Sequence, residues 1–196
     1  MRLFVALEIS SAVRANFARL MADLRALDTK SSGKKPRWTR PENLHATLKF
    51  IGNVMPEKLD DIRAALGRVH SDQPVELRFR GLGFFPGPKR PRVLWAGIAG
   101  SQNLEAIAAG IDRVLAKVGV PPEQHAFIPH LTLARCEPAA ISSGLRAAIV
   151  KHSARDFGDL RADQFHLIES KLKPSGAEYT TLQSFVFCGG GLTAHE

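Results

Sequence analysis

Two stretches of the chain share one four-residue pattern: His45-Ala46-Thr47-Leu48 and His130-Leu131-Thr132-Leu133 both read His-x-Thr-Leu. An imidazole with an ordinary pKa of about 6.5 takes or gives a proton near neutrality. Two of them, one neutral and one protonated, suffice for in-line displacement at phosphorus. The neutral ring removes a proton from the incoming oxygen and the protonated ring delivers one to the leaving oxygen, each transfer contributing about 10²–10⁴-fold. The hydroxyls of Thr47 and Thr132 can donate to the non-bridging oxygens, where charge accumulates in the transition state. Such a pair predicts a bell-shaped pH–rate profile and a centre that needs no metal and no cofactor. Arg135 is the nearest candidate cation for the phosphate. In a regular strand its odd offset from His130 turns it to the opposite face, so a strand end or bulge at Ala134 must redirect it.

A single His-x-Thr match carries little weight. With seven His and seven Thr among 196 residues, roughly 0.25 such matches arise by chance. Two copies, each continued by Leu, are far rarer and point to a shared role. Both copies lie in apolar runs that read as β-strands, the second over 127–135. In the first, alternation puts Leu44, Ala46, Leu48 and Phe50 on a core face and His45, Thr47 and Lys49 on a face lining solvent or a cleft. His45 and Thr47 then project about 6.5–7 Å apart, within reach of one phosphate.

The elements around these strands must bring the two copies face to face. A buried strand is expected over 3–9. A helix follows, with Val13, Phe17, Leu20, Leu24 and Leu27 on one face. The segment 28–36 reads as a mobile, lysine-rich loop, with 30–35 a candidate flap over substrate. A helix carrying Leu59, Ile62, Leu66 and Val69 and a strand over 75–82 complete the first half. The segment 83–92 reads as a Pro-, Gly- and Arg-rich connection. The second half repeats the order, with a strand over 93–98, a helix carrying Leu104, Ile107, Ile111, Val114 and Val118, the second motif strand, a short helix and two closing strands. Each half thus reads strand, helix, motif strand, helix, strand. The expected fold is α+β, one bilobal domain over 1–196. Its two similar lobes carry mainly antiparallel sheets, related by pseudo-two-fold symmetry around a central cleft, with helices on the outer faces.

The composition, 44% hydrophobic and 23% charged, suits a water-soluble globular chain. A net charge of +8 favours a polyanionic partner. Two cysteines, Cys136 and Cys188, make no disulfide framework, and the absence of Cys-x-x-Cys argues against a thiolate zinc site. A reduced, cytoplasmic monomer is the expectation. No apolar run approaches the ~18 residues of a membrane span, and Glu8 interrupts the apolar start too early for a signal peptide.

The paired motifs resemble those of the two-histidine (2H) phosphoesterase superfamily. The resemblance extends to the flanks Trp38-Thr39-Arg40-Pro41-Glu42-Asn43-Leu44, Leu48-Lys49-Phe50-Ile51-Gly52, Pro129-His130-Leu131-Thr132-Leu133-Ala134-Arg135 and Glu169-Ser170. These are similar to bacterial and archaeal RNA 2′,3′-cyclic phosphodiesterases of the LigT type. The resemblance implies a bilobal fold, a water-filled cleft and no metal. It implies RNA ends bearing a 2′,3′-cyclic phosphate as substrates, tRNA fragments among them, opened to a 2′-phosphate. It implies His45 as proton donor to the departing 3′-oxygen and His130 as acceptor from water, with 2′-5′ RNA joining as the reverse reaction. Two rival readings stay open. One is an RNA-binding module without catalysis, using Trp38 beside Arg37, or Phe84-Phe85 before Lys89-Arg90, to stack on bases. The other keeps the chemistry and changes the substrate to a small cyclic nucleotide, an ADP-ribose cyclic phosphate or a 2′-5′ oligonucleotide.

Overall fold

A computed structural model describes residues 1–28, 35–137, 141–174 and 176–187. The flap reading over 30–35 falls almost wholly outside these residues, as does the end of the chain from Cys188.

The described chain runs β1 (Arg2–Glu8), α1 (Ser11–Ala26), β2 (Arg37–Trp38), β3 (His45–Asn53), α2 (Leu59–Leu66), β4 (Val75–Phe85), β5 (Val93–Gly100), α3 (Gln102–Ala116), β6 (His130–Arg135), α4 (Ser143–Lys151), β7 (Asp156–Ala162), β8 (Gln164–Lys173) and β9 (Gly176–Val186). The strands form one antiparallel sheet in the order β7-β4-β5-β6-β3-β1-β8-β9, and the short β2 pairs with β6. The order is symmetric about the β6–β3 junction. Across it β5 answers β1, β4 answers β8, and β7 answers β9.

The expected pseudo-two-fold is therefore present, but the arms are not the two halves of the chain. β4 leaves the first half and pairs with β5, while β8 leaves the second half and pairs with β1. The first half lends β4 to the other arm, and the second half lends β8 with β9. Three further readings are corrected. β7 is a strand along β4 that its weak alternation did not reveal. Residues 83–85 continue β4 rather than opening a loop, because Phe84 is buried and pairs with Leu94, and Phe85 pairs with Val93. Leu27 caps the end of α1 and is 46% exposed, so it leaves the apolar face.

The helices bury one face of the sheet. α1 starts where the Ser10 side chain accepts from the Val13 N–H at 3.3 Å. Its Phe17 ring meets Phe79 of β4 at 5.9 Å and Phe157 of β7 at 5.0 Å. Each such fully buried apolar side chain contributes about 1.5–3 kcal/mol. Leu3, Val5 and Leu7 of β1 and Ala46, Leu48, Leu131 and Leu133 of the motif strands join this core. The opposite, concave face is left for polar groups.

Both motif strands break alternation at the same place. Val5 pairs with Lys49 and Ala6 with Thr47, so Leu48 is an extra residue on β3. Leu94 pairs with Ala134 and Trp95 with Thr132, so Leu133 is an extra residue on β6. A bulge puts two successive residues on one face. Lys49 therefore follows Leu48 into the core, and Phe50 turns to the cleft, reversing their expected faces.

Burial of Lys49, 5% exposed, requires a counter-charge. Its Nζ donates to Asp112 Oδ1 of α3 at 2.6 Å and to the Pro121 carbonyl at 2.9 Å. Partial burial pushes the Asp112 carboxyl up. The Lys49 hydrogen bond, the Glu123 N–H and the Lys49 charge together outweigh it and hold the group below its usual range. Asp112→Ala leaves the ammonium uncompensated and is expected to lower unfolding free energy by about 3 kcal/mol in urea titrations. The paired replacement Lys49→Met with Asp112→Leu recovers most of the loss. In the wild-type protein, the Asp112 contribution is complete above its unfolded pKa and fades as pH falls through the lower, folded value.

Candidate active site

His45 and His130 each open a motif strand and are held by the same device. The His45 Nδ1–H donates to the Asn43 carbonyl at 2.7 Å, and the His130 Nδ1–H donates to the Ile128 carbonyl at 2.7 Å. A carbonyl only accepts, so Nδ1 carries the hydrogen in both rings and Nε2 is left for proton transfer. The acceptor is in both cases the residue two positions back, where the chain enters the strand.

The β3–β6 junction consists of one antiparallel ladder pair, Ala46 with Leu131. This register sets His45 level with Thr132 and Thr47 level with His130. The two histidines occupy diagonal positions, about 7–8 Å apart in a paired sheet. That separation accommodates one phosphate between the rings. The four polar side chains share the concave face, and the residues between them point to the helices.

The surroundings of the two rings differ. His45 is flanked by Phe4, with ring centroids 4.7 Å apart, and by the edge of Tyr179 at 5.2 Å. His130 meets the edge of Phe85 at 5.0 Å. Burial lowers the His45 pKa, the Asn43 carbonyl partly restores it, and the nearby His130 lowers it further. The approach to β3 is pinned from both sides. Asn43 Nδ2 donates to the Ala177 carbonyl of β9 at 2.7 Å, and Thr39 Oγ1 donates to the Thr132 carbonyl at 2.9 Å.

A cavity of about 260 Å³ opens from these groups, lined among others by Thr39, His45, Thr47, Thr132, Arg135 and Tyr179. His130 stands beside it rather than in its lining. Arg135 reaches it because the bulge at Leu133 reverses the side on which the strand end projects. The same turn at Leu48 brings Phe50 to the cavity. Phe4, Thr39, Phe50 and Tyr179 were not anticipated as site residues. Phe4 was masked by an apolar run with no visible period, and Tyr179 reaches His45 only through the β1–β8–β9 order. A larger depression of about 630 Å³ lies around Arg78, Ser101 and Asp159, remote from both motifs. Its Arg78 is already paired with Asp159 at 3.0 Å, and it holds no imidazole.

Among the described residues, no group of three or more His, Cys, Asp or Glu is placed to hold a metal ion, and no helix is long and apolar enough to cross a membrane.

The family model described as LigT like Phosphoesterase matches residues 7–95 and 98–179. The chain is 34% identical over 185 residues to a protein of Archaeoglobus fulgidus named RNA 2′,3′-cyclic phosphodiesterase, covering 94% of this chain and 99% of that one. A protein of the same name from Aquifex aeolicus is 31% identical, with 96% and 98% covered. In fold, the chain is similar to the crystal structure of TT0787 of Thermus thermophilus, with a TM-score of 0.79, 29% identity, and 97% and 100% covered. Both His-x-Thr-Leu strands lie inside the matched segments and face one cleft, and the chain belongs to the LigT-like phosphoesterase family of the two-histidine superfamily.

Proposed function

We propose that this protein is an RNA 2′,3′-cyclic phosphodiesterase that opens a terminal cyclic phosphate to a 2′-phosphate. The observation that carries this reading is the diagonal His–Thr quartet across the Ala46–Leu131 pair, with both Nδ1 atoms engaged by backbone carbonyls and both Nε2 atoms left for proton transfer. The names of the relatives supply the substrate class. His45 gives its proton to the departing 3′-oxygen while His130 takes one from the attacking water. Thr47, Thr132 and Arg135 hold the non-bridging oxygens. Ends of cleaved tRNA are among the substrates, and 2′-5′ joining is the same path run backwards with the roles of the histidines exchanged.

The His45 environment bears on its role. In the free protein, burial favours the neutral ring. An acid must be protonated, and an anionic phosphodiester bound beside the ring favours that form. Substrate therefore helps to charge the acid that acts on it. The kcat profile, which reports the substrate complex, is expected to lie at higher pH than that of kcat/KM, which reports the free protein. Coincident profiles contradict this coupling between substrate and the His45 proton.

Hydrolysis of a short RNA ending in a 2′,3′-cyclic phosphate, measured in EDTA, tests the reaction. Wild type is expected to form the 2′-phosphate, and His45→Ala and His130→Ala are each expected to lose about 10²–10⁴-fold in kcat. Wild type that binds this RNA and leaves the ring closed is a binding module. A substrate with sulfur at the bridging 3′ position separates the roles, because a thiolate leaves without a proton. It is expected to restore His45→Ala and not His130→Ala.

A further inference from the structure

Two openings flank His45, and they differ in charge. The cavity containing Thr47 and Thr132 is bordered by Arg2 and Arg135 and by no carboxylate. The other opening, of about 230 Å³, is lined by Glu8, Arg14, Glu42, Ile168, Tyr179 and Thr181 among others. There Arg14 is engaged by the carbonyls of Ile9, Pro41 and Glu42, and two carboxylates outnumber one guanidinium. A polyanion is attracted to the first opening and repelled from the second.

Arg2 lies on the cleft face of β1, since Leu3 beside it is in the core and Phe4 meets His45. Among the described residues, neither Arg2 nor Arg135 has a carboxylate or hydrogen-bond partner. Both charges bear on Tyr179, whose phenol burial raises and they pull back. Arg135 is used by the reacting phosphate in the reading above. Arg2 stands further along: it is four residues from Ala6, the partner of Thr47, about 13 Å along the strand before its long side chain is extended. An anion held there is distinct from the reacting phosphate and about one nucleotide unit removed from it.

We propose that Arg2 binds the phosphate on the 5′ side of the terminal nucleotide. The RNA strand then leaves the cleft past Arg2 and not past Glu8. This rests on the phosphodiesterase reading, and it makes Arg2 the residue that distinguishes an RNA end from a lone nucleoside cyclic phosphate.

Binding without turnover is read first, by calorimetry with adenosine 2′-phosphate and adenosine 2′,5′-bisphosphate. The added 5′-phosphate is expected to tighten wild-type binding about tenfold, as one charge-assisted contact does. Arg2→Gln is expected to reduce that ratio to about one, and Glu8→Gln to leave it near ten. For a short RNA, Arg2→Gln is also expected to flatten the dependence of log Kd on log salt by about 0.7. A wild-type ratio near one, a ratio unchanged in Arg2→Gln, or a ratio governed by Glu8 overturns the proposal. If the ratios hold while no cyclic phosphate is opened, the Arg2 contact stands and the phosphodiesterase reading falls.

Discussion

The two arms of the sheet meet at one backbone pair, Ala46 with Leu131, and the arrangement of the His–Thr quartet is a consequence of it. Because the pair is antiparallel, the residues on either side of Ala46 meet those on either side of Leu131 in reversed order. A histidine on one strand is thereby set against a threonine on the other, twice. Ala46 and Leu131 are 5% and 0% exposed and point to the helices. Hydrophobic burial behind the strands thus holds four polar groups in front of them. A polar side chain at either position would enter the core without a partner and cost about 1–3 kcal/mol.

The second shared device is the bulge at the last residue of each motif. It lets the strand turn its next residues over without losing the pairing that precedes it. At matching positions the arms then carry different chemistry. Lys49 answers Ala134 on the buried side, and Phe50 answers Arg135 on the cleft side. The backbone is repeated and the side chains are not. One wall of the cavity is apolar and the other is cationic. The buried Lys49 is a further consequence of the same turn, and Asp112 and Pro121 bind α3 and the approach to β6 to the first motif strand.

Two equal imidazoles in equal places would not divide acid and base work. Here the rings are anchored alike through Nδ1 but enclosed differently. His45 lies between Phe4 and Tyr179, and His130 meets only Phe85 among the ring contacts of the described residues. Unequal burial is a general means of separating the protonation of like groups. The exchange of β4 and β8 between the arms produces this inequality, since it brings β9, with Tyr179, beside the first motif and gives the second the end of β4, with Phe85.

The sequence by itself determined the identity of the quartet, because residue type and spacing within a strand are local. His45, Thr47, His130 and Thr132 were recognisable from one repeated pattern, and the helix faces from their periodicity. The pseudo-two-fold order was also legible, since it is an order of elements along the chain. Only the tertiary structure decided which strand lies beside which, where the ladders slip by one residue, and hence which way Lys49, Phe50 and Arg135 point. A bulge is a property of two strands together, and no single strand records its partner's register. For the same reason Phe4, Tyr179 and Arg2 come to line one cavity only through the order of the strands in the sheet.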